Sequence, residues 1–423
     1  MVNDGSYSQL ELMQARVKLV PDGWAFNYVG KAFAIKNNLR KPISEDEREK
    51  NPGVYPYYGP TKIQGYIGTY EQDGSYALIG EDGDHFLKYE SQPMTQLVDG
   101  KCTVNNHAHI IEGTKKATRE WFYYYFMHRD IFSFLSRQGA GRYKLNKASL
   151  EKIPVLVPPV QEQKKIAKIL STWDKAITTT EQLLSNSQQQ KKALEQQLLT
   201  GKKRLGMPAN GYDFKKTRYG IIPKAWEYPA IKDVCTQVTE KNTESVDYPV
   251  LSCSKYDGFV DSLKYFKKKV YSDDTSGYRL IHRGCFGFPS NHVEEGSIGL
   301  QNLYDTGIVS PIYVVFRAKP KKVDNTYLYA VLKTDHYRQI FGAATNASVD
   351  RRGSLRWKEF SLIHVPLPPL EEQQRIAAVL ATADQEISAL QQKLDALKQE
   401  KKALMQQLLT GKRRVKIDNK EVE

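Results

Sequence analysis

Several features are scarce in this 423-residue chain, and each scarcity narrows what it can be. Its four cysteines, Cys102, Cys235, Cys253 and Cys285, are scattered with no CxxC pair. That argues against a zinc site and a disulfide framework, and fits a reducing cytoplasm. No run of eighteen apolar residues occurs, so no helix is expected to span a bilayer. The opening MVNDGSYSQLELMQ lacks the basic and apolar stretches of a secretory signal. No GxxxxGK followed by Ser or Thr is present to cradle phosphates. The two Pro-Pro pairs follow Val157 and Leu367, so neither has the preceding amide or acid of a methyltransferase catalytic loop.

Positive charge is plentiful: 62 Lys and Arg stand against 48 Asp and Glu, a net +14. Residues 1–154 carry 20 basic and 18 acidic side chains (+2), whereas residues 207–364 reach +6. Charge spread over several segments favours grooves of folded domains that meet a polyanion over a disordered basic tail.

The organising feature is a repeat. KKALEQQLLTGKKRL at residues 191–205 returns as KKALMQQLLTGKRRV at 401–415, and the match runs ungapped from about 155 to 205 at an offset of 210. Both copies read as one long helix. In the second, Ile376, Leu380, Ala383, Ile387, Leu390, Leu394, Leu397, Lys401, Leu404 and Leu408 follow the 3.5-residue spacing of a coiled-coil seam. The first keeps the phase through Ile166, Leu170, Trp173, Ile177, Leu184, Leu194 and Leu198, with Thr180, Ser187 and Lys191 at intervening positions. Pro158-Pro159 and Pro368-Pro369 deliver the chain to each first turn, where Glu162, Glu371 and Glu372 suit the helix dipole. Gly201 and Gly411 stop the helices, with Lys202, Lys203, Arg204, Lys412, Arg413 and Arg414 beside the carbonyl ends. Each helix seeks an apolar partner, and the other copy supplies one.

The segments before the helices share only their edges. Pro21-x-x-Trp24 answers Pro223-x-x-Trp226, and Leu145 and Ile153 fall opposite Leu355 and Ile363. Their middles read as mixed α+β with many short strands. FVDSLKYFKKKVY and SPIYVVFRA look strand-like, while TREWFYYYFMHRDIFSFL and DNTYLYAVLKTDHYRQIF look helical. The Trp121–Phe126 cluster reads as a core helix. His107 and His109 read as alternate residues on one strand face, and Glu81, Asp82 and Asp84 as a surface turn. Candidate nucleic-acid contacts are Tyr58, Lys62 and Gln64 around GPTKIQG, Lys115, and Arg137, Arg142 and Lys144 in a glycine-bearing loop. The second segment offers Lys255, Tyr256, Asn291, His292, Arg351 and Arg352, suited to phosphates or base edges. No catalytic or metal-ligating set is expected.

The paired PPxxEQxxIAxxL…KKALxQQLLTGKxR regions, each after a variable segment opening with P-x-x-W, resemble the specificity subunit of type I restriction–modification systems, over essentially the whole chain. The resemblance implies target-recognition domains at 1–154 and 207–364, helical spacer regions at 155–206 and 365–416 packed antiparallel with pseudo-twofold symmetry, and a polar tail at 417–423. It further implies a non-catalytic subunit that reads a bipartite double-stranded DNA target and has no cofactor of its own. Its partners would be methylation subunits, two in number, using S-adenosylmethionine, and restriction subunits using ATP and Mg. An orphan DNA-binding or anti-restriction scaffold is the alternative.

Overall fold

The computed structural model describes residues 7–15, 17–138, 142–206, 212–244, 246–345 and 354–417. The chain divides into two units, one of residues 1–181 with 392–423 and the other of residues 182–391. The two long helices, Val160–Leu198 and Leu370–Leu408, are each 39 residues and contribute to both units.

In the first unit a six-stranded sheet has the order β2-β7-β5-β6-β3-β4. Its strands are β2 (Ala34–Ile35), β3 (Pro52–Tyr58), β4 (Ile63–Ile67), β5 (Gln72–Gly80), β6 (Thr95–Val104) and β7 (Ala108–Glu112). Alternation along β5 buries Ala77 and Ile79, and Met94 just before β6 joins them, in one core with the helix Arg119–Phe126, whose Trp121, Phe122, Tyr125 and Phe126 form its centre. The aromatic stretch is thus a core helix, though it stops at Phe126 rather than running on to Leu135. β1 (Ala25–Tyr28) pairs antiparallel with β10 (Pro154–Val157), and β8 (Ser136–Gln138) pairs with β9 (Arg142–Lys144).

The second unit is built from smaller sheets. β11 (Phe214–Thr217) pairs with β12 (Gly220–Pro223), β14 (Leu251–Ser254) with β15 (Gly258–Asp261), and β16 (Arg279–His282) with β19 (Thr306–Val309). A four-stranded sheet runs β13 (Cys235–Val238), β20 (Tyr313–Ala318), β17 (Cys285–Pro289), β18 (Gly299–Leu300). Phe286, Phe288, Phe316, Phe341 and Phe360 pack in its core with Tyr327. The strand expected over FVDSLKYFKKKVY ends at Asp261. There the carboxylate accepts from the Leu263 and Lys264 amides and starts a short helix, Ser262–Phe266. A local cap overrides strand propensity at that point.

Within each unit the two helices run antiparallel. In the first, Asp174 meets Lys401, and Glu181 lies 2.7 Å from Lys398. In the second, Lys191 lies 2.6 Å from Asp384, and Ser187 donates to Glu386 at 3.2 Å. Ile166, Leu170 and Leu408 are buried in the first unit's core, and Leu198, Ile376 and Leu380 in the second's. The remaining seam positions Trp173, Ile177, Leu194, Ile387, Leu390, Leu397 and Leu404 are half-buried, while Leu184 and Leu394 are buried.

A single joint recurs in both units. In the first, Glu162 accepts two bonds from Arg414, each 2.8 Å, and one from the Trp24 indole at 3.0 Å. In the second, Glu372 accepts from Arg204 at 3.0 and 2.6 Å and from Trp226 at 3.2 Å. Glu162 and Glu372 therefore act as counter-ions to an arginine from the end of the partner helix, beyond any favourable dipole, whereas Glu371 is exposed. Gln163 donates to the Lys116 and Pro158 carbonyls and accepts from the Thr118 amide. Gln373 does the same with Lys322, Pro368 and Asp324.

Candidate nucleic-acid interface

In the first unit the β3–β4 turn places Lys62 at its exposed tip, closed by a Gly59 amide bond to the Lys62 carbonyl. Gln64 folds back over Gly59, where any Cβ would collide with its carboxamide, and its Oε1 accepts from Asn105 at 3.0 Å. Tyr58 packs against the sheet core, and burial pushes its phenol above the ordinary range. The Asn105 amide in turn donates to the Tyr58 carbonyl at 3.0 Å. Tyr58, Lys62 and Gln64 are thereby gathered on one turn, with Gln64 held by Asn105.

The acidic residues next to this turn do more than cover a surface. Glu81 is largely buried and takes ion pairs from Arg40 and from Lys144, the latter at 3.3 Å. Burial alone would raise its pKa, but Arg40 and Lys144 hold it below the ordinary carboxylate value. His109 on β7 is buried. Its Nε2 donates to the Leu145 carbonyl at 2.7 Å, so Nδ1 accepts from the Asn37 amide at 2.8 Å. Burial lowers its pKa, consistent with a neutral imidazole. His107, expected on the same strand, sits instead in the turn before β7 and pairs with Asp82 at 2.8 Å.

Main-chain bonds finish this assembly: Leu145 to Glu81, at 2.7 Å, and Gly83 to Tyr143, at 3.1 Å, hold the β8–β9 pair in place. Arg137 lies over the Tyr143 ring at 5.5 Å, and Arg142 is in register with Gln138. Lys144 belongs to the Glu81 cluster, which offsets its charge. Lys115 is not gathered with these residues. It is exposed in the turn before Arg119–Phe126, next to Lys116, whose carbonyl bonds Gln163 of the long helix.

In the second unit Lys255 and Tyr256 form the β14–β15 turn, capped by Ser254, whose hydroxyl accepts from the Tyr256 and Asp257 amides at 3.3 Å. Tyr256 is 83% exposed. Lys333 donates to the Lys255 carbonyl at 2.7 Å and to the Gly296 carbonyl at 3.0 Å, and burial lowers its pKa. It thereby ties this turn to the loop bearing Asn291 and His292, where His292 meets Glu295 at 3.2 Å. Leu355 donates to the Ser290 carbonyl at 2.7 Å at the start of that loop. Arg351 and Arg352 lie outside the described residues. Arg40, Glu81 and Lys333 act as positioning residues that the sequence reading missed. Their partners are 41 and 78 positions away, a separation that no local pattern encodes. Among the described residues no group of three or more His, Cys, Asp or Glu is placed to hold a metal ion. No described helix is long and apolar enough to cross a membrane.

Two mixed α+β units, each holding parts of two antiparallel helices and presenting basic and amide-bearing turns, define a protein built to display loops from a repeated frame. The chain belongs to the family described as the type I restriction modification DNA specificity domain, whose model matches residues 21–186 and 223–399. It is 28% identical over 357 residues to the putative type I restriction enzyme specificity subunit S.HindORF215P of Haemophilus influenzae, covering 82% of this chain and 84% of that one. It is 25% identical over 411 residues to the MjaVIII specificity subunit of Methanocaldococcus jannaschii, covering 94% of each. The crystal structure of a type I restriction–modification S subunit from M. genitalium shares its fold, with a TM-score of 0.60 at 13% identity, covering 93% of this chain and 97% of that one.

Proposed function

We propose that the chain is the non-catalytic DNA-reading subunit of a type I restriction–modification complex, with each unit reading one half of a bipartite duplex target. The observation that carries this reading is the family match to both halves, each built on the same Trp–Glu–Arg joint yet ending in different loops. One frame with two unlike tips suits two unlike half-sites, as paired readers set half-site spacing by their own geometry. Tyr58, Lys62, Gln64, Lys115, Arg137, Arg142, Lys144, Lys255, Tyr256, Asn291, His292, Arg351 and Arg352 are the proposed DNA contacts. The helices would set the gap and dock methylation subunits, which would bring S-adenosylmethionine; restriction subunits would bring ATP and Mg. The complex would act in the cytoplasm.

Co-expression with the neighbouring methylation subunit in a methylation-free host, followed by mapping of modified adenines, tests the reading. A single bipartite motif with a constant gap is the expected result. No modification by a soluble, co-purifying complex would overturn it in favour of an orphan scaffold. Inserting one heptad into both helices lengthens each by about 10 Å. The gap should then shift by roughly three base pairs with the half-sites unchanged, at about 3.4 Å per pair.

A further inference from the structure

The second unit carries a surface that the sequence reading passed over as a strand. From Leu263 to Val270 every residue is exposed, and the segment reads LKYFKKKV. Lysines at 264, 267, 268 and 269 lie among apolar side chains that a soluble fold normally covers. Leu263, Tyr265, Phe266 and Val270 are each between 43 and 52% exposed. The adjoining β14–β15 turn adds Lys255 and Tyr256, with the ammonium 5.4 Å above the ring.

Local geometry makes this a built projection. Asp261 caps the short helix Ser262–Phe266, and Tyr304 donates to the same carboxylate at 2.8 Å. Ser252 and Ser262 share a hydrogen bond at 2.7 Å beneath it. The helix ends at Lys267 with φ 53°, the one positive-φ residue other than glycine among the described residues. A left-handed lysine is an unfavourable backbone choice, and such outliers cluster where function holds them. Lys264 is engaged with Asp261 and Tyr304, and Lys269 with Asp273. Among the described residues no carboxylate pairs with Lys267 or Lys268.

We propose that residues 255–270 are the main duplex-DNA contact of the second unit, with Lys267 and Lys268 on phosphates and Tyr256 and Phe266 against base edges in the groove. The proposal rests on the DNA-reading function above and names the element that performs it in this unit. Charge complementarity selects the occupant. Exposed apolar groups alone would also suit a protein partner, but lysine is depleted from protein interfaces. Phosphate contact is the ordinary use of unpaired lysines beside aromatic rings that can meet bases. The +6 balance of residues 207–364, against +2 for residues 1–154, is in keeping with this element's four closely spaced lysines.

The test uses the full chain co-purified with its methylation subunits and fluorescence anisotropy on the mapped target duplex over 50–200 mM salt. The variant is Lys267→Gly with Lys268→Ala, because glycine accepts the left-handed backbone and leaves the helix end intact. Losing two phosphate contacts should flatten the slope of log affinity against log salt by about 1.8. Wild-type affinity would then fall roughly twelvefold further than the variant's across that range. Tyr256→Ala with Phe266→Ala should make one half of the methylated motif degenerate while the other half keeps its sequence. An unchanged salt slope, with wild-type modification intact, overturns the phosphate assignment. A motif unchanged in both halves overturns the aromatic one. Loss of co-purification by the lysine variant would show a protein-docking surface and also overturn the proposal. If the wild-type complex modifies no adenine, it is the DNA-reading function itself that fails.

Discussion

The two units use the same joint on different interiors, and the contrast separates what the duplication preserved from what was free to drift. Trp121 in the first unit donates to the Leu156 carbonyl at 2.8 Å; Tyr327 in the second donates to the Pro366 carbonyl, 210 positions later, at 2.9 Å. Different side chains thus satisfy one main-chain acceptor from the same place in the frame. Ala25 faces Val157 as Glu227 faces Leu367, and Tyr28 faces Pro154 as Ala230 faces His364. Between these anchors the first unit builds one six-stranded sheet, whereas the second divides its strands among smaller sheets. Buried polar acceptors need partners at fixed positions and tolerate few solutions. Strands beyond the frame answer only to their own packing, so they are where two units can differ without losing the joint.

The largest expected effect comes from breaking that joint unequally. The Arg204 side chain is 5% exposed, while that of Arg414 is 43% exposed. Glu372→Ala leaves a buried guanidinium and the Trp226 indole unpaired, a loss of about 3–5 kcal/mol. Glu162→Ala leaves Arg414 able to reach water and should cost less, roughly 1–3 kcal/mol. Chemical denaturation followed by hydrogen exchange, read separately on peptides of each unit, checks the order. Equal losses would show that solvent does not rescue Arg414.

Next in size, and this time equal in the two units, is the helix stop. Gly201 and Gly411 adopt φ 70° and 69°, and a Cβ on either would collide with the ring of Pro223 or Pro21. Gly201→Ala and Gly411→Ala should each cost about 2 kcal/mol, the left-handed penalty plus the displaced proline. A large difference between them would show that one unit's P-x-x-W turn can move aside.

Acid should separate the units again. Burial depresses the pKa of His85, His109 and His128, all in the first unit. Their unfolded forms take up protons as pH falls below the ordinary value of 6.5, before the folded forms do. Stability from these groups is therefore full above that pH and is lost as pH drops toward their depressed values. Glu81, also depressed, adds a loss of the same sign in a lower window, beneath the ordinary carboxylate value of 4.5. Protection of first-unit amides, corrected for the intrinsic slowing of exchange in acid, should fall as pH drops below 6.5, and His109→Gln should blunt the change. Acid-independent protection there would mean the histidines are not buried neutral.

Much of this frame was legible in the sequence. An ungapped repeat reports matched helices, and heptad spacing reports which side faces in, because burial imposes the period. The P-x-x-W pairs marked the turns that the helix-stopping glycines press against. What stayed illegible was contact between distant residues. Nothing near Glu162 or Glu372 announces an arginine 252 or 168 positions away, and Glu81 read as a surface turn because Arg40 lies 41 residues earlier. The projection at residues 262–269 was missed for a different reason. Its β-forming residues favoured a strand, and one aspartate cap with one left-handed lysine decided otherwise.

The smallest effect concerns the lysines on the seam. Lys401 is 11% exposed and pairs with Asp174, which also accepts from the Tyr124 hydroxyl at 2.8 Å. Lys191, at the equivalent position, is 25% exposed and divides itself between Asp384 and Glu195, both partly open to water. A polar residue on a seam costs stability and helps fix register. Lys191→Leu trades surface-type pairs, worth about 0.2–1 kcal/mol, for apolar burial on the seam. It should therefore be neutral or slightly stabilising. Lys401→Leu strips Asp174 of its cation while leaving it bound to Tyr124, and should cost up to about 1 kcal/mol. Thermal unfolding of the two variants, with target spacing mapped alongside, reads both roles. A shifted gap in either would make register, rather than stability, the reason a lysine sits on each seam.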